Sequence, residues 1–286
     1  MADRVEGEMA ERLQEQYTTD QNLRARISLH DAYSVNGHWF EWLFDREAPG
    51  PGARILDLGC GPATLWLMNR ERVDASWSLT LADLSAGMIE AARHELGGRA
   101  TYVVADAQEL TFPAASFDIV IANHMLYHVP DRPRAFAELR RVLVPGGAFH
   151  ASTNGRGHLA ELAALIPGQN EWSFVEDFGL ETGPQQLERF FADIRVERFD
   201  DALAVTEAEP VLAYIRSTSR YRGEDLTSAR RTVEAAIARD GAFHVTKSQG
   251  VISCRRPQPG NGDDTAAGAD AVEQAGSAAR VRELET

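Results

Sequence analysis

The sequence predicts an α/β protein whose mostly parallel, seven-stranded sheet carries helices on both faces. Three observations support this class. Short apolar runs, typical of buried strands, recur between residues 54 and 254. Segments long enough for a helix separate most consecutive runs, which is the pattern of βαβ units. A glycine turn, Asp57-Leu58-Gly59-Cys60-Gly61, leads from the first run into a helical segment, and glycine lets the backbone turn sharply there.

Residues 1–47 precede the first strand and have the amphipathic pattern of helices. This segment is rich in aromatic residues, which include Tyr17, Tyr33, Trp39 and Trp42. We expect it to be a helical lid that closes over a ligand, or else a cover for the edge or core of the sheet. The sequence Ala48-Pro49-Gly50-Pro51-Gly52 breaks regular structure and separates this segment from the first strand.

The α/β domain is predicted to span residues 48–256. Its expected strands are 54–58, 78–83, 100–105, 117–122, 148–153, 194–199 and 243–254. Its expected helices are 62–69, 86–96, 132–142, 211–221 and 226–239, and Pro62 suits a first helical turn, where its missing N–H costs nothing. An aromatic insertion at 155–190 is expected to cap the carboxyl ends of the strands. Residues 257–286 lack aromatic side chains and are predicted to form a disordered tail.

Composition limits the classes of partner. The chain has 286 residues and a net charge of −14, from 43 acidic and 29 basic residues. Nucleic acid and anionic membranes require a basic face, so we expect neither as a partner. The two cysteines have no zinc-ligand spacing and fit a reducing cytoplasm, and no run approaches the ~20 apolar residues of a membrane span. We expect a small-molecule partner and no metal, and the predicted state is a monomer or homodimer.

A carboxylate follows each of the first three predicted strands. These are Asp57, Asp83 and Asp106. In an open parallel sheet, ligands bind outside the carboxyl ends of the strands, so we expect the three acids to meet there. Asp83 would accept both hydroxyls of a ribose. A helix cap is the alternative for each acid taken alone.

The residues around Asp106 and Asp83 suit an adenine ring. The Asp106 carboxylate can accept from the exocyclic amine, and the Ala107 N–H can donate to a ring nitrogen. Leu84 and Met88 flank the same place and could sandwich the ring. A dinucleotide cofactor is the alternative, but its fingerprint requires a third glycine, where this chain has Thr64.

Five motifs together resemble those of the class I S-adenosylmethionine-dependent methyltransferases. They are Ile-Leu-Asp-Leu-Gly-Cys-Gly (55–61), Asp-Leu-Ser-Ala-Gly-Met-Ile (83–89), Ala-Asp-Ala-Gln-Glu-Leu (105–110), Phe-Asp-Ile-Val (117–120) and Arg-Val-Leu-Val-Pro-Gly-Gly (141–147). The match covers about residues 50–153 and is nearest to the small-molecule branch related to ubiquinone and menaquinone methyltransferases. The resemblance implies a Rossmann-like fold, S-adenosylmethionine as cofactor and S-adenosylhomocysteine as product.

The resemblance also implies roles for individual residues. The backbone of Gly59, Cys60 and Gly61 would contact the methionine portion of the cofactor, and Asp57 would support its amino group. Asn123 would contact the same amino group through its backbone. Tyr17 and Arg26 are candidates for binding the cofactor carboxylate, with a solvated arginine as the alternative for Arg26.

Two histidines follow the fourth predicted strand, where the methyl group should point. His124 and His128 are four residues apart, so a helical turn would place both on one face. Histidine suits proton transfer near neutral pH, and each is a candidate base if the acceptor must lose a proton. The alternative for His128 is that it packs against the turn at Pro130 and the next helix.

The acceptor pocket is expected between the N-terminal helices and the insertion. Its candidate walls are Tyr33, Trp39, Asn154, Trp172, Phe174 and Phe178. These side chains suit an aromatic or natural-product-like acceptor, although core packing would explain several of them. The predicted activity is methylation of such an acceptor at carbon, nitrogen or oxygen. The alternatives are an NAD(P)-dependent oxidoreductase and a cofactor-binding scaffold without activity.

Overall fold

The computed structural model describes residues 28–166, 174–218, 221, 223 and 225–258, without the side chains of residues 174 and 175. Several predictions therefore lie outside the described residues. They concern Tyr17, Arg26, Trp172, the side chain of Phe174, residues 1–27 of the expected lid and residues 259–286 of the expected tail.

Seven strands form one sheet in the order β3-β2-β1-β4-β5-β7-β6. The strands are β1 Arg54–Leu58, β2 Ser78–Asp83, β3 Thr101–Val104, β4 Phe117–Asn123, β5 Leu143–Asn154, β6 Ala192–Val205 and β7 Phe243–Arg255. β1 to β5 pair in parallel, whereas β7 is antiparallel to both β5 and β6. The chain reverses its direction of strand addition between β3 and β4, so β1 and β4 form the switch point at which open α/β sheets bind ligands.

Helices cover both faces of the sheet, as predicted. They are α1 Trp39–Glu47, α2 Thr64–Met68, α3 Ala86–Leu96, α4 Arg132–Val142, α5 Ala160–Ala163, α6 Phe174–Asp177, α7 Gly183–Leu187, α8 Ala208–Ser217 and α9 Thr227–Asp240. α1, α2 and α3 contribute to one core with Ile55, Leu81 and Ile121, while α4 and α7 contribute to the core on the opposite face. Among the described residues, no helix is both long and apolar enough to span a membrane.

Several element boundaries differ from the sequence prediction; α8, for example, is Ala208–Ser217 rather than 211–221. α2 begins at Thr64 rather than Pro62, because Ala63 before it adopts a left-handed conformation. β5 begins at Leu143, since Leu143 pairs with Phe117 before a register shift that accommodates Pro145-Gly146-Gly147. β6 continues to Val205, and β6 and β7, with 14 and 13 residues, are the two longest strands of the sheet.

The ends of β6 and β7 extend beyond β5 and form an arm. Their pairing continues from Asp200 with Ser248 to Val205 with Phe243, past the last β5 pair at Asn154. α5, α8 and α9 pack on this arm in a separate apolar core, which also contains Leu29. This second core, which joins part of the 155–190 insertion to the arm, α8 and α9, was not predicted from the sequence.

The described part of the N-terminal segment is fixed to this arm. Ser34 forms an isolated bridge with Leu203, and the Val35 N–H donates to the Ala202 carbonyl at 2.9 Å. In α1, Trp39 and Trp42 both contact the Phe199 ring, with centroid separations of 5.4 and 5.3 Å. Residues 28–47 thus cover one face of the sheet next to its carboxyl edge.

Candidate functional site

The glycine turn after β1 is held by β2. The N–H groups of Gly59 and Cys60 both donate to the Ala82 carbonyl, at 2.7 and 3.1 Å. These two donors are therefore used within the protein, and only their carbonyls remain for a ligand. Gly59 has a φ of +71°, and a Cβ there would lie 2.7 Å from the Cβ of Met125. Gly59 is required for packing as well as for its conformation.

Gly61 has a different environment from Gly59. Its φ is +54°, and a Cβ at this position would meet no heavy atom of the described residues within 4 Å. The backbone of Gly61 is therefore accessible to a ligand at the carboxyl edge of β1. The Cys60 side chain beside it is half-buried, and burial raises the pKa of its thiol.

The Asp83 carboxylate is oriented by two backbone donors. Its Oδ2 accepts from the Gly61 N–H at 2.9 Å, and its Oδ1 accepts from the Ser85 N–H at 2.8 Å. Partial burial raises its pKa, and the two backbone bonds oppose that shift. Each oxygen keeps a further acceptor site, so the carboxylate can still receive a pair of ligand hydroxyls.

Asp57 lies below the turn and is 2% exposed. Its Oδ2 accepts from the Trp66 indole N–H at 2.7 Å, but its Oδ1 has no partner among the described residues. Burial raises the pKa of Asp57 to about 7, against the effect of the Trp66 bond and with a contribution from Asp83. A cationic group at Oδ1 would restore the ionised form.

A second buried acid, Glu47, lies at the end of α1 and was not a candidate in the sequence. It is 2% exposed, and its Oε2 accepts from Asn123 Nδ2 at 3.2 Å. Oε1 of Glu47 and Oδ1 of Asn123 have no partner in the described chain. Burial raises the pKa of Glu47 well above its ordinary value, and Asp57 adds to the shift. Its sequence neighbours give no signal of this burial.

The residues predicted to hold an adenine lie along the edges of β2 and β3. The Leu84 side chain is 60% exposed, and Met88 is half-buried. Asp106 accepts from the backbone N–H of Gln108 at 2.8 Å and from its side chain at 3.1 Å. Ala107 is 6% exposed. The Asp106 carboxylate is therefore fixed within a turn.

His124 follows β4 with a φ of +51°, and its N–H donates to the Ser152 carbonyl at 3.0 Å. This left-handed conformation is incompatible with a helical turn that starts at His124. The structure has instead a 3₁₀ turn that covers only Leu126–His128. The prediction that His124 and His128 share one helical face is therefore wrong. Burial, followed by Lys247 and His128, lowers the pKa of His124 to about 4, so its imidazole is neutral at pH 7.

A buried ion pair lies beyond His124, in the β6–β7 arm. Lys247 pairs with Asp201, and their side chains are 4% and 0% exposed. Lys247 also donates to Ser34 Oγ at 2.9 Å, which ties the N-terminal segment to the pair. His30 lies four residues before Ser34, and its ring centroid is 6.2 Å from that of Tyr214. Burial, followed by the charge of Lys247, lowers the pKa of His30 to about 4.

Unsatisfied polar atoms form a continuous row between these places. Among the described residues, seven buried side-chain atoms have no hydrogen-bond partner: Glu47 Oε1, Asp57 Oδ1, Asn123 Oδ1, Ser152 Oγ, Asn154 Oδ1, His158 Nδ1 and Gln249 Nε2. The strand residues among them share one face, because their registers pair Asn123 with Ser152 and Asn154 with Gln249. Buried polar groups without partners are rare, and such a row indicates a ligand site.

The expected acceptor walls divide into two groups. The Trp39 ring lies 5.6 Å from the His124 ring, and Asn154 belongs to the row of unpartnered polar atoms. Tyr33 is half-buried and packs against the apolar core of the β6–β7 arm. Phe178 is fully buried in the core on the opposite face of the sheet, where it packs against Phe136 at 6.1 Å. We therefore do not retain Phe178 as a wall of the acceptor site.

Residues 56–151 match the methyltransferase domain family. A malonyl-[acyl-carrier protein] O-methyltransferase of Erwinia pyrifoliae is 32% identical over 235 residues, which is 82% of this chain and 80% of that protein. The aklanonic acid methyltransferase DauC of a Streptomyces species is 31% identical over 62% of this chain and 83% of its own length. The ubiquinone/menaquinone biosynthesis C-methyltransferase UbiE of Xanthomonas oryzae is 33% identical, but the chain spans only 50% of it.

Two solved structures share the fold. YcgJ of Bacillus subtilis has a TM-score of 0.53 at 18% identity and covers 77% of this chain and 99% of its own. A SAM-dependent methyltransferase of Aquifex aeolicus has a TM-score of 0.51 at 13% identity and covers 83% and 99%. At these identities the similarity concerns the fold alone.

Proposed function

The chain belongs to the class I S-adenosylmethionine-dependent methyltransferases, and we propose that it methylates a small acceptor with an aromatic or largely apolar body. One observation carries this proposal. The row of unpartnered polar atoms runs from Asp57, beside the glycine turn, across β4 and β5 to Gln249 and His158, so one end suits the cofactor and the other suits an acceptor. Membership in this family leaves the oxidoreductase and the inactive scaffold without support.

At the cofactor end, Asp83 would hold the ribose hydroxyls. Its two backbone bonds fix the carboxylate before the ligand arrives, which limits the entropy lost on binding. Leu84, exposed beside it, would cover one face of the adenine together with Met88. Asp106 and Ala107 would read the edge of the ring.

Three unpartnered oxygens would receive the ammonium group of the cofactor. They are Glu47 Oε1, Asp57 Oδ1 and Asn123 Oδ1, and all three accept hydrogen bonds once the two carboxyls are ionised. An ammonium brings three donors and a positive charge, so it matches both the missing bonds and the two carboxyls with raised pKa values. This assignment adds Glu47 to the predicted site and gives Asn123 a side-chain role beside its predicted backbone contact.

The protein's main task in this chemistry is alignment. S-adenosylmethionine, when bound, supplies a methyl group already activated on a sulfonium sulfur. The open backbone at Gly61 and the fixed carboxylates hold the cofactor, while α1 excludes water from the polar row. A base is required only if the acceptor must lose a proton.

The acceptor would lie between α1 and the β6–β7 arm. Trp39 and Tyr33 provide aromatic walls there, and His124 faces the same region. The names of DauC and UbiE refer to aklanonic acid and to ubiquinone and menaquinone biosynthesis, which favours a small-molecule acceptor for this chain as well. Residues 28–47 would act as the cover of this site.

Calorimetric titration with S-adenosylhomocysteine tests the proposal. We expect micromolar binding to the wild-type protein and none of NADH. Asp83→Ala should weaken binding by about 1.5–3 kcal/mol, because hydrogen bonds to a charged group are lost. Asp74→Ala is a matched control, since Asp74 also accepts from the N–H two residues later, at 2.8 Å, but at an exposed turn. Equal affinity of the Asp83 variant and the wild type would remove Asp83 from the site.

A further inference from the structure

The far end of the polar row contains an open donor and an open acceptor side by side. Asn154 and Gln249 are directly opposite each other in the β5–β7 pair, and each is 6% exposed. Oδ1 of Asn154 and Nε2 of Gln249 have no partner among the described residues, and they do not bond to each other. A carbonyl of a ligand would satisfy Nε2 of Gln249.

The loop after β5 brings His158 to the same place. The Gly155 N–H donates to the Ser248 carbonyl at 2.8 Å, and the Leu159 N–H donates to the Thr246 carbonyl at 2.8 Å. The loop is thereby held along β7 on either side of His158, next to Lys247. His158 is 7% exposed, and its Nδ1 has no partner in the described part of the chain.

The other ring nitrogen of His158 determines what Nδ1 can do. A hydrogen bond to the Ser248 backbone raises the pKa of His158, as a bond donated by the ring does. Since Nδ1 is unpartnered, Nε2 carries this proton. Burial, followed by His30, His124 and Lys247, lowers the pKa well below its ordinary value, so the ring is neutral at pH 7. Nδ1 therefore presents a buried lone pair.

We propose that this cluster binds an acceptor whose hydroxyl lies beside a carbonyl, as in an ortho-acyl phenol or an enolised diketone, and that His158 accepts the hydroxyl proton. The hydroxyl would donate to Nδ1 of His158, and the adjacent carbonyl would accept from Nε2 of Gln249. A simple hydrocarbon ring would leave both atoms unsatisfied, which is unfavourable for buried polar groups. This inference rests on the proposed function and specifies its acceptor and the methylated atom.

The proton and electrons balance in the proposed step. The hydroxyl O–H bond breaks, its proton moves to Nδ1 of His158, and the oxygen forms a bond to the methyl carbon. The carbon–sulfur bond breaks with its electron pair left on sulfur, which gives S-adenosylhomocysteine. A negative charge that develops on the phenolic oxygen beside the ring raises the pKa of His158, and this opposes the lowering of that pKa by burial. His158 then returns its proton to solvent.

The first test compares two ketones that differ only in the hydroxyl. 1-Hydroxy-2-acetonaphthone and 2-acetonaphthone are titrated into the protein saturated with S-adenosylhomocysteine. We expect the hydroxy ketone to bind at least about 10-fold more tightly, since only it satisfies Nδ1. His158→Phe should abolish the difference. His150→Phe should keep it, because His150 is also buried, at 9% exposure, but is already bonded to Ser253 Oγ at 2.9 Å.

The second test measures methyl transfer to 1-hydroxy-2-acetonaphthone by mass gain. His158→Phe should lower kcat by about 10²- to 10⁴-fold, as expected for a lost base, while S-adenosylhomocysteine binds with unchanged affinity. If His158→Phe does not fold, Gln249→Met is used. It should lower affinity for the hydroxy ketone about 10-fold and leave that for 1-naphthol unchanged.

The outcomes separate this inference from the proposed function. Equal affinity for the two ketones, or binding of neither, overturns the inference even when S-adenosylhomocysteine binds. An unchanged kcat in the His158 variant removes His158 as the base. Failure of the wild-type protein to bind S-adenosylhomocysteine overturns the proposed function itself.

Discussion

Trp66 donates its indole N–H to Oδ2 of the buried Asp57 at 2.7 Å, which leaves Oδ1 of that carboxyl without a partner among the described residues. The bond crosses from α2 back to β1 and orients the carboxyl. One half of Asp57 is thus satisfied by the fold, and the other half is available to the ligand. The same division holds for Glu47, whose Oε2 is bonded to Asn123 while Oε1 is not.

Trp66→Phe should lower the free energy of unfolding by about 1–3 kcal/mol, because it leaves a buried carboxyl oxygen without a donor. Urea unfolding measures this change. Trp77→Phe is the matched control, since the Trp77 indole donates to the exposed Gly50 carbonyl at 3.0 Å and water can replace that donor. Equal destabilisation by both substitutions would contradict the special role of the Trp66 bond.

The pKa of Asp57, raised to about 7, predicts a pH dependence of stability. Between its unfolded value of 3.8 and about 7, the folded state binds more protons than the unfolded state. Stability from this group is therefore lost as pH rises through that range. Asp57→Asn should gain stability relative to wild type from pH 5 to pH 8, by at most about 1.4 kcal/mol per pH unit.

Asp118→Asn is the control with the opposite sign. The Arg54 hydrogen bond lowers the pKa of Asp118, so its contribution is lost as pH falls and not as pH rises. The Asp118 variant should therefore gain nothing relative to wild type between pH 5 and pH 8. A pH-independent difference in stability between Asp57→Asn and wild type would show that Asp57 is ionised throughout.

Binding of S-adenosylhomocysteine to the wild type should also release protons, measurable by calorimetry in buffers of different ionisation enthalpy.

Gly61→Ala should lower affinity for S-adenosylhomocysteine at least about 10-fold, because its methyl group would occupy the space left for the ligand. Gly241→Ala is matched in its backbone, with a φ of +82° and likewise no described atom within 4 Å of a Cβ, but it ends α9. Both should cost about 1–2 kcal/mol of stability. If both or neither reduced affinity, the loss could not be assigned to the site.

Lys247→Met should destabilise the protein by about 3–5 kcal/mol, since it leaves the fully buried side chain of Asp201 without its cation. Arg93→Met removes the cation of an exposed pair with Glu90 and should cost less than about 1 kcal/mol. Chemical denaturation compares the two variants. A loss of less than 1 kcal/mol for Lys247→Met, with Asp201 unchanged, would mean that water reaches the pair.

Much of the fold followed from local patterns. α3 and α4 have the predicted bounds, Ala86–Leu96 and Arg132–Val142, because capping by Ser85 and Asp131 and apolar spacing are local properties. The mostly parallel pairing followed from βαβ alternation, whereas the strand order and the antiparallel placement of β7 came only from the structure. The start of α2 was missed because the turn at Ala63 requires a left-handed conformation that alanine does not signal.

The sequence by itself determined the mostly parallel seven-stranded sheet, the glycine turn and the acids at the strand ends, because each depends on neighbouring residues and the period of burial. Only the tertiary structure decided which polar groups lose their contact with water. Glu47, His158, Gln249 and the Lys247–Asp201 pair come from distant segments, and nothing beside them in the sequence distinguishes them from surface residues. Their chemistry depends on burial and on missing partners, and these exist only once the sheet, α1 and the β6–β7 arm have packed together.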